Sequence, residues 1–144
     1  MMQTFLPYPN FQKSARVLDR QRLGKQRVEG LQILHCLLDI GSQRWQHHPA
    51  VKMWKGAEMA LAHYVLEMCY EWTSRGYKDT VTQQVMQCLQ LLVRRKRRYM
   101  KPSWLGHIRF HRSHRSNLVR KDPRHYRQYF PRIKETLPYV WPRR

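Results

Sequence analysis

Arg22, Lys25, Gln26 and Glu29 recur at steps of three, one and three residues. At about 100° per residue, that spacing gathers them on one face of a helix. Glu29 is the sole acid between Asp19 and Asp39 and stands among cations. In the plain reading this is the solvated face of an amphipathic helix. In the other, Glu29 is the carboxylate of a site that acts on DNA, with Arg22, Lys25 and Gln26 around the substrate. Arg27 falls on the opposite, apolar face with Leu23, Gly30, Leu31, Leu34, Leu37 and Leu38. A guanidinium there is rarely left unpaired.

Charge supports a polyanion partner. The 144 residues include 28 Lys+Arg against 9 Asp+Glu, a net charge of +19. The first 93 residues hold 11 basic and 7 acidic side chains, whereas residues 94–144 hold 17 and 2. Such asymmetry points to nucleic acid first and an anionic membrane second. The basic part opens with Arg94, Arg95, Arg97 and Arg98. It continues through His111, His114, Arg115, Asn117, Arg120 and Lys121, interleaved with Phe110, Tyr126, Tyr129 and Phe130. Arginine forks grip phosphates and aromatic faces stack on bases, so these residues, with His48, are assigned to DNA binding. His107, His111 and His114 could also align along one helix as metal ligands. No carboxylate or cysteine lies near them, however, and the surrounding arginines repel a cation. No metal is expected, and these histidines are assigned to phosphates or an extruded base.

Other chemistries are poorly supplied. A two-metal nuclease needs clustered carboxylates, and nine scattered acids do not provide them. No nucleophile–histidine–acid order stands out, and no glycine-rich phosphate loop is present. Cys36, Cys69 and Cys88 lie far apart without a CxxC pair and read as reduced core residues. No apolar run approaches a membrane span, and MMQTFLPYPNF lacks the basic start of a secretory signal. What remains is chemistry that needs one carboxylate and an amine nucleophile, with no cofactor.

The elements that must position these residues are helical. Pro7 and Pro9 keep the first residues extended. Asn10 caps a short turn through Ala15–Val17, Asp19 caps the main helix, and Gly41 ends it. Pro49 starts a long helix running to Arg75, with Trp54, Ala57, Leu61, Tyr64, Met68 and Trp72 as its packing seam. A third helix spans about Thr80 to Arg97. Residues 110–121 are helical for part of their length, Asp122-Pro123 starts a short helix broken at Pro131, and the tail ETLPYVWPRR is extended. The fold class is all-α: a single domain of three main helices plus short ones, with an irregular basic C-terminal third.

The order of motifs resembles the pyrimidine-dimer DNA glycosylase family, the phage-type endonuclease V proteins. Asp19, Leu23-Gly24, Arg27 and Glu29 are similar to that family's first helix, and Cys69 through Thr80 to its Arg-Gly-aromatic, Lys-Asp-Thr turn. An aromatic C-terminal segment follows in both. A bacterial and phage subgroup is matched over nearly the whole chain, through MQTFLPYPNF, LGKQRVE, His48-Pro49, SHRSNLVRKDP and LPYVWP.

The resemblance implies a bifunctional mechanism. The chain's α-amine attacks C1′ of the damaged nucleotide to give a Schiff base. A helix-borne glutamate assists β-elimination, arginines hold phosphates, and a base is expelled from a kinked duplex. Carried over, Glu29 takes the glutamate role and Arg22 and Arg27 the phosphate roles. The amine is that of Met1, or of Met2 if the chain starts there, with Lys25 as the alternative nucleophile. Val28 separates Arg27 from Glu29, which turns them about 200° apart on an ideal helix. Arg27 is therefore either a phosphate ligand or a buried strut. The expectation is a monomeric, cytoplasmic, nucleoid-associated protein acting on damaged or modified pyrimidines in double-stranded DNA, with no membrane partner. The alternative is a non-catalytic nucleic-acid-binding protein of the same fold.

Overall fold

The computed structural model describes residues 2–142. Its order is α1 (Phe11–Val17), α2 (Arg20–Leu37), α3 (Pro49–Lys52), α4 (Glu58–Ser74), α5 (Thr82–Arg94), α6 (Ile108–Lys121) and α7 (Pro123–Tyr126). No strand occurs among the described residues. The all-α expectation holds, with four long helices where three were expected.

The caps act as the sequence suggests. Asn10 accepts from the Lys13 amide to start α1, and Asp19 accepts from the Arg22 amide to start α2. α1 runs from Phe11 to Val17 behind the Asn10 cap, as the sequence predicts. After α2 the chain reverses through Asp39 and Gly41, both with positive φ. Asp122 closes α6 and caps α7, with Pro123 in the first turn.

One expectation is overturned. The long helix from Pro49 is two helices, because Gly56 takes φ +87°, a conformation that no right-handed helix contains. The Gly56 amide is received by the Glu58 carboxylate at 2.5 Å. The apolar seam survives the break, since Trp54, Ala57, Leu61, Tyr64 and Met68 are all buried. Periodicity followed the seam and missed the turn.

α4 is the central helix and packs against α1, α2 and α5. Contact with α2 is close at Gly30, where a Cβ would come within 2.5 Å of Val65 Cγ2. Glycine is required there because the branched Val65 side chain of α4 packs directly on its Cα. α6 is helical throughout residues 108–121, and α7 packs back on it.

The most unusual packing is that of the N-terminal segment. Residues 2–7 are buried without regular secondary structure, so their polar backbone groups need partners from elsewhere. Side chains of α2, α4 and α6 provide them. Gln26 receives the Phe5 amide at 2.8 Å, and His114 Nδ1 receives the Leu6 amide at 2.9 Å. His111 Nδ1 donates to the Leu6 carbonyl at 2.8 Å, Tyr64 donates toward Phe5, and Arg115 Nε donates to the Pro7 carbonyl at 2.7 Å. The Thr4 hydroxyl receives the Trp54 indole N–H at 3.0 Å.

Candidate active site

α2 carries Glu29 to the floor of a polar cavity of about 210 Å³, lined by Gln3, Gln21, Arg22, Lys25, Gln26, Glu29 and Lys121 among others. The face read from helical spacing is thus assembled as one surface. α6 adds Lys121, and the N-terminal segment adds Gln3 across from the carboxylate.

Gln26 organises this site. It is 1 % exposed, and both its amide hydrogens and its carbonyl oxygen have partners. Nε2 donates to the Gln3 carbonyl and to Glu29 Oε2, both at 3.1 Å. Oε1 accepts from the Phe5 amide and stands 2.6 Å from the Tyr64 hydroxyl. One side chain therefore fixes the start of the chain, the carboxylate and α4 together. Gln26 was expected on DNA; its burial makes it a support for Glu29 instead. Burial pushes the Glu29 carboxyl above its ordinary range, while the charges of Lys25 and Lys121 and the Gln3 amide pull it back.

Beside this cavity is an open, more apolar pocket of about 500 Å³, walled by Gly24, Val28, Gln32 and Trp72, with Arg20, Lys25 and Glu29 at its rim. Arg27 lines neither hollow. Its guanidinium pairs with the Asp79 carboxylate and lies 4.3 Å over the Trp72 ring. The two side chains of the pair are only 11 % and 4 % exposed. Asp79 also receives the Thr82 amide and hydroxyl. Burial works against its charge, yet hydrogen bonds from Thr82 and Arg27 hold it below the usual carboxylate range. Of the two readings of Arg27, the structure supports the strut, which ties α2 to the turn before α5.

The other assigned residues separate into two groups. Arg22 faces the cavity while bonding Asp19 at 3.0 Å, and Lys25 is exposed on its edge. Met2 is buried at the start of the described segment; Met1 lies outside the described residues. His111 and His114 were assigned to phosphates, but they are 2 % and 0 % exposed, with ring nitrogens committed to the Leu6 backbone. They clamp the N-terminal segment. Burial pulls both pKa values down, that of His114 to about 3, so both rings are neutral at pH 7. Arg115 is likewise turned inward onto Pro7, and Arg120 onto the carbonyls of Glu135 and Leu137. Asn117 is partly buried on α6.

His48 caps α3 through Nδ1 and packs edge-on to Trp45 and Trp141. Arg94, Arg95, Arg97 and Arg98 are exposed where α5 ends. Arg95 and Arg97 line a different hollow, at the C-terminal end of α2. They do not enter the Glu29 cavity.

Sequence reasoning missed Gln3, Tyr64 and Trp72 as neighbours of the site. Tyr64 and Trp72 stand on the α4 seam and look like core residues there. Gln3 carries no local signal at all.

A buried N-terminal segment, a helix-borne glutamate and a cationic rim come together at this cavity. The model of the pyrimidine dimer DNA glycosylase family matches residues 2–85, a stretch holding Gln3, Arg22, Lys25, Gln26 and Glu29. No curated protein and no solved structure matches the chain. More than half of the chain is covered by the match, and the chain belongs to the pyrimidine dimer DNA glycosylase family.

Proposed function

We propose that this protein is a DNA glycosylase with AP-lyase activity that acts on damaged or modified pyrimidines in duplex DNA through an amine Schiff base assisted by Glu29. The observation that carries the reading is the anchoring of residues 2–7, in which one Gln26 amide bonds the Gln3 and Phe5 backbone and the Glu29 carboxylate. An α-amine titrates near pH 8, so a useful fraction is a neutral nucleophile at pH 7. Lys25 and Lys121 line the Glu29 cavity, and cations near an amine there would favour its neutral form further.

The steps balance. The amine lone pair attacks C1′ and the pyrimidine departs with the glycosidic electron pair. Loss of the amine proton and opening of the sugar give an imine at C1′. The Glu29 carboxylate then takes a proton from C2′, and the electrons left behind expel the 3′ phosphate. A carboxylate of raised pKa is a better base for that proton than an exposed one. Arg22 and Lys121 would hold flanking phosphates, and the apolar pocket walled by Gly24, Val28 and Trp72 would receive an expelled base.

Borohydride trapping on abasic and ultraviolet-irradiated duplexes tests the reading. A covalent adduct is expected; DNA binding with no adduct would remove the Schiff base. Mass mapping of the adduct separates the α-amine of Met1 or Met2 from Lys25.

A further inference from the structure

The family match ends at residue 85, yet the corner that joins α6 to α7 bears on the Glu29 cavity at two points. Lys121, the last residue of α6, lines the cavity itself. Tyr126, the last residue of α7, is fully buried and meets Asp19, the cap of α2. The corner is fixed on both sides. Asp122 accepts from the His125 amide at 3.2 Å, and His125 Nε2 donates to the Val17 carbonyl at 2.9 Å, which ties α7 to the link between α1 and α2.

Tyr126 and Asp19 bond in both directions. The phenol donates to Asp19 Oδ1, and the Asp19 amide donates to the phenol oxygen at 3.1 Å. Oδ1 also accepts from Arg22 Nη1 at 3.0 Å, and Oδ2 accepts from the Arg22 amide at 3.3 Å. One carboxylate oxygen therefore joins phenol and guanidinium while the other caps the helix. A carboxylate bonded at both oxygens keeps one orientation, and that orientation sets where Nη1 lies. Burial works against the Asp19 charge, yet hydrogen bonds from Tyr126 and Arg22 hold its carboxyl below the usual carboxylate range. Arg22 lines the Glu29 cavity, and its guanidinium has no other hydrogen-bond partner among the described residues. Its remaining N–H groups are open to an anion there.

We infer that Tyr126 is a positioning residue that acts through the Asp19 carboxylate to hold the Arg22 guanidinium in the Glu29 cavity for a phosphate of the bound duplex. The inference rests on the reading of Arg22 as a phosphate ligand. A long side chain left untethered samples many rotamers, and fixing it on binding costs affinity. The Tyr126–Asp19 pair removes that cost beforehand.

The test is a double-mutant cycle on Tyr126→Phe and Arg22→Gln, at pH 7 and at a temperature where all four proteins are folded. The probe is a duplex carrying an uncleavable tetrahydrofuran abasic analogue. Arg22→Gln should weaken binding about tenfold and lower the log–log salt slope by about 0.9. Tyr126→Phe removes only the hydroxyl and should weaken binding about fivefold, with the single-turnover cleavage of an abasic duplex at saturating protein unchanged. In the Arg22→Gln background it should cost nothing further, because no guanidinium is left to position. A merely structural tyrosine costs the same in both backgrounds; that result, or wild-type affinity in Tyr126→Phe, overturns the inference. Asp19→Asn tests it without touching Tyr126. The amide keeps a capping oxygen but removes a negative charge, so simple repulsion predicts tighter DNA binding, whereas loss of the tether predicts weaker binding. Tighter binding overturns the inference. The two readings fail separately. Wild-type affinity and salt slope in Arg22→Gln would end the phosphate role of Arg22 and the inference with it. Weakened binding in Arg22→Gln but not in Tyr126→Phe would remove Tyr126 alone.

Discussion

Residues 2–85 supply the Glu29 carboxylate, the Gln26 amide that holds it and the buried segment that runs against it. Residues 86–142 supply Lys121, the two histidines that grip that segment and the Tyr126 hydroxyl that bonds Asp19. The second region holds most of the positive charge, which invites the view that it is a DNA-binding face throughout. Its side chains behave otherwise. His111, His114, Arg115 and Arg120 turn their polar atoms onto backbone groups of this chain, and the exposed Arg95 and Arg97 stand at a different hollow. Charge counted along a sequence therefore mixes two uses, holding the protein together and holding DNA. Only the partners each side chain meets in the fold separate them.

The largest expected effect lies in the first region. Glu29→Gln preserves shape and the bond from Gln26 but removes the base, so strand cleavage at an abasic site should fall by about 100- to 10,000-fold. Duplex affinity should change little. Cleavage within a few-fold of wild type would take Glu29 out of the mechanism. Second is Arg27→Ala, which strands a buried Asp79 charge and uncovers Trp72. Breaking such a pair costs about 3–5 kcal/mol, so the thermal midpoint should drop by about 10 °C in a domain of this size. At a temperature where the variant is folded, its cleavage rate should match wild type. A variant that keeps its midpoint but binds DNA weakly would return Arg27 to the phosphate role.

How much of this was legible follows a physical rule. α2 and its two faces could be read because cap, periodicity and charge agree along one continuous stretch. Arg22, Lys25, Gln26 and Glu29 do share one surface. The turn at Gly56 could not be read, because the apolar seam runs through it and hides the break. His111 and His114 were misassigned because their basic neighbours suggested solvent, whereas their partner, Leu6, lies more than a hundred residues away. Sequence spacing is informative about neighbours on one helix. It says nothing about a segment threaded between several helices.

Acid should expose that clamp. Free in an unfolded chain, the His114 imidazole takes a proton near pH 6.5; in the fold it does so only near pH 3. Between those values the unfolded state binds the extra proton, so stability falls as pH falls, by about 1.4 kcal/mol per pH unit at most. It is complete above 6.5. His111, also pulled down by burial, acts in the same direction. Urea melts between pH 7 and 4 should show this loss, and hydrogen exchange should show the Leu6 amide opening early. His114→Asn, which retains an acceptor for that amide, should flatten the slope. A slope equal to wild type would mean that His114 does not bear the clamp.

The smallest effects set the two uses of arginine against each other. Arg94 and Arg98 are exposed, so replacing both by Gln should leave stability within about 0.5 kcal/mol. If each contacts a phosphate, the log–log salt slope of duplex binding should shrink by about 0.9 per contact. Arg115→Gln should do the reverse. Its Nε bonds the Pro7 carbonyl at 2.7 Å and its guanidinium lies 5.1 Å from the Tyr8 ring, both within the protein. Losing a hydrogen bond to a charged donor costs about 1.5–3 kcal/mol, with the salt slope unchanged because no counterion release is lost. Equal salt slopes in the two variants and wild type would remove Arg94 and Arg98 from the DNA path. A reduced slope for Arg115→Gln would mean that this arginine leaves Pro7 for a phosphate when DNA binds. The N-terminal clamp would then loosen when DNA binds.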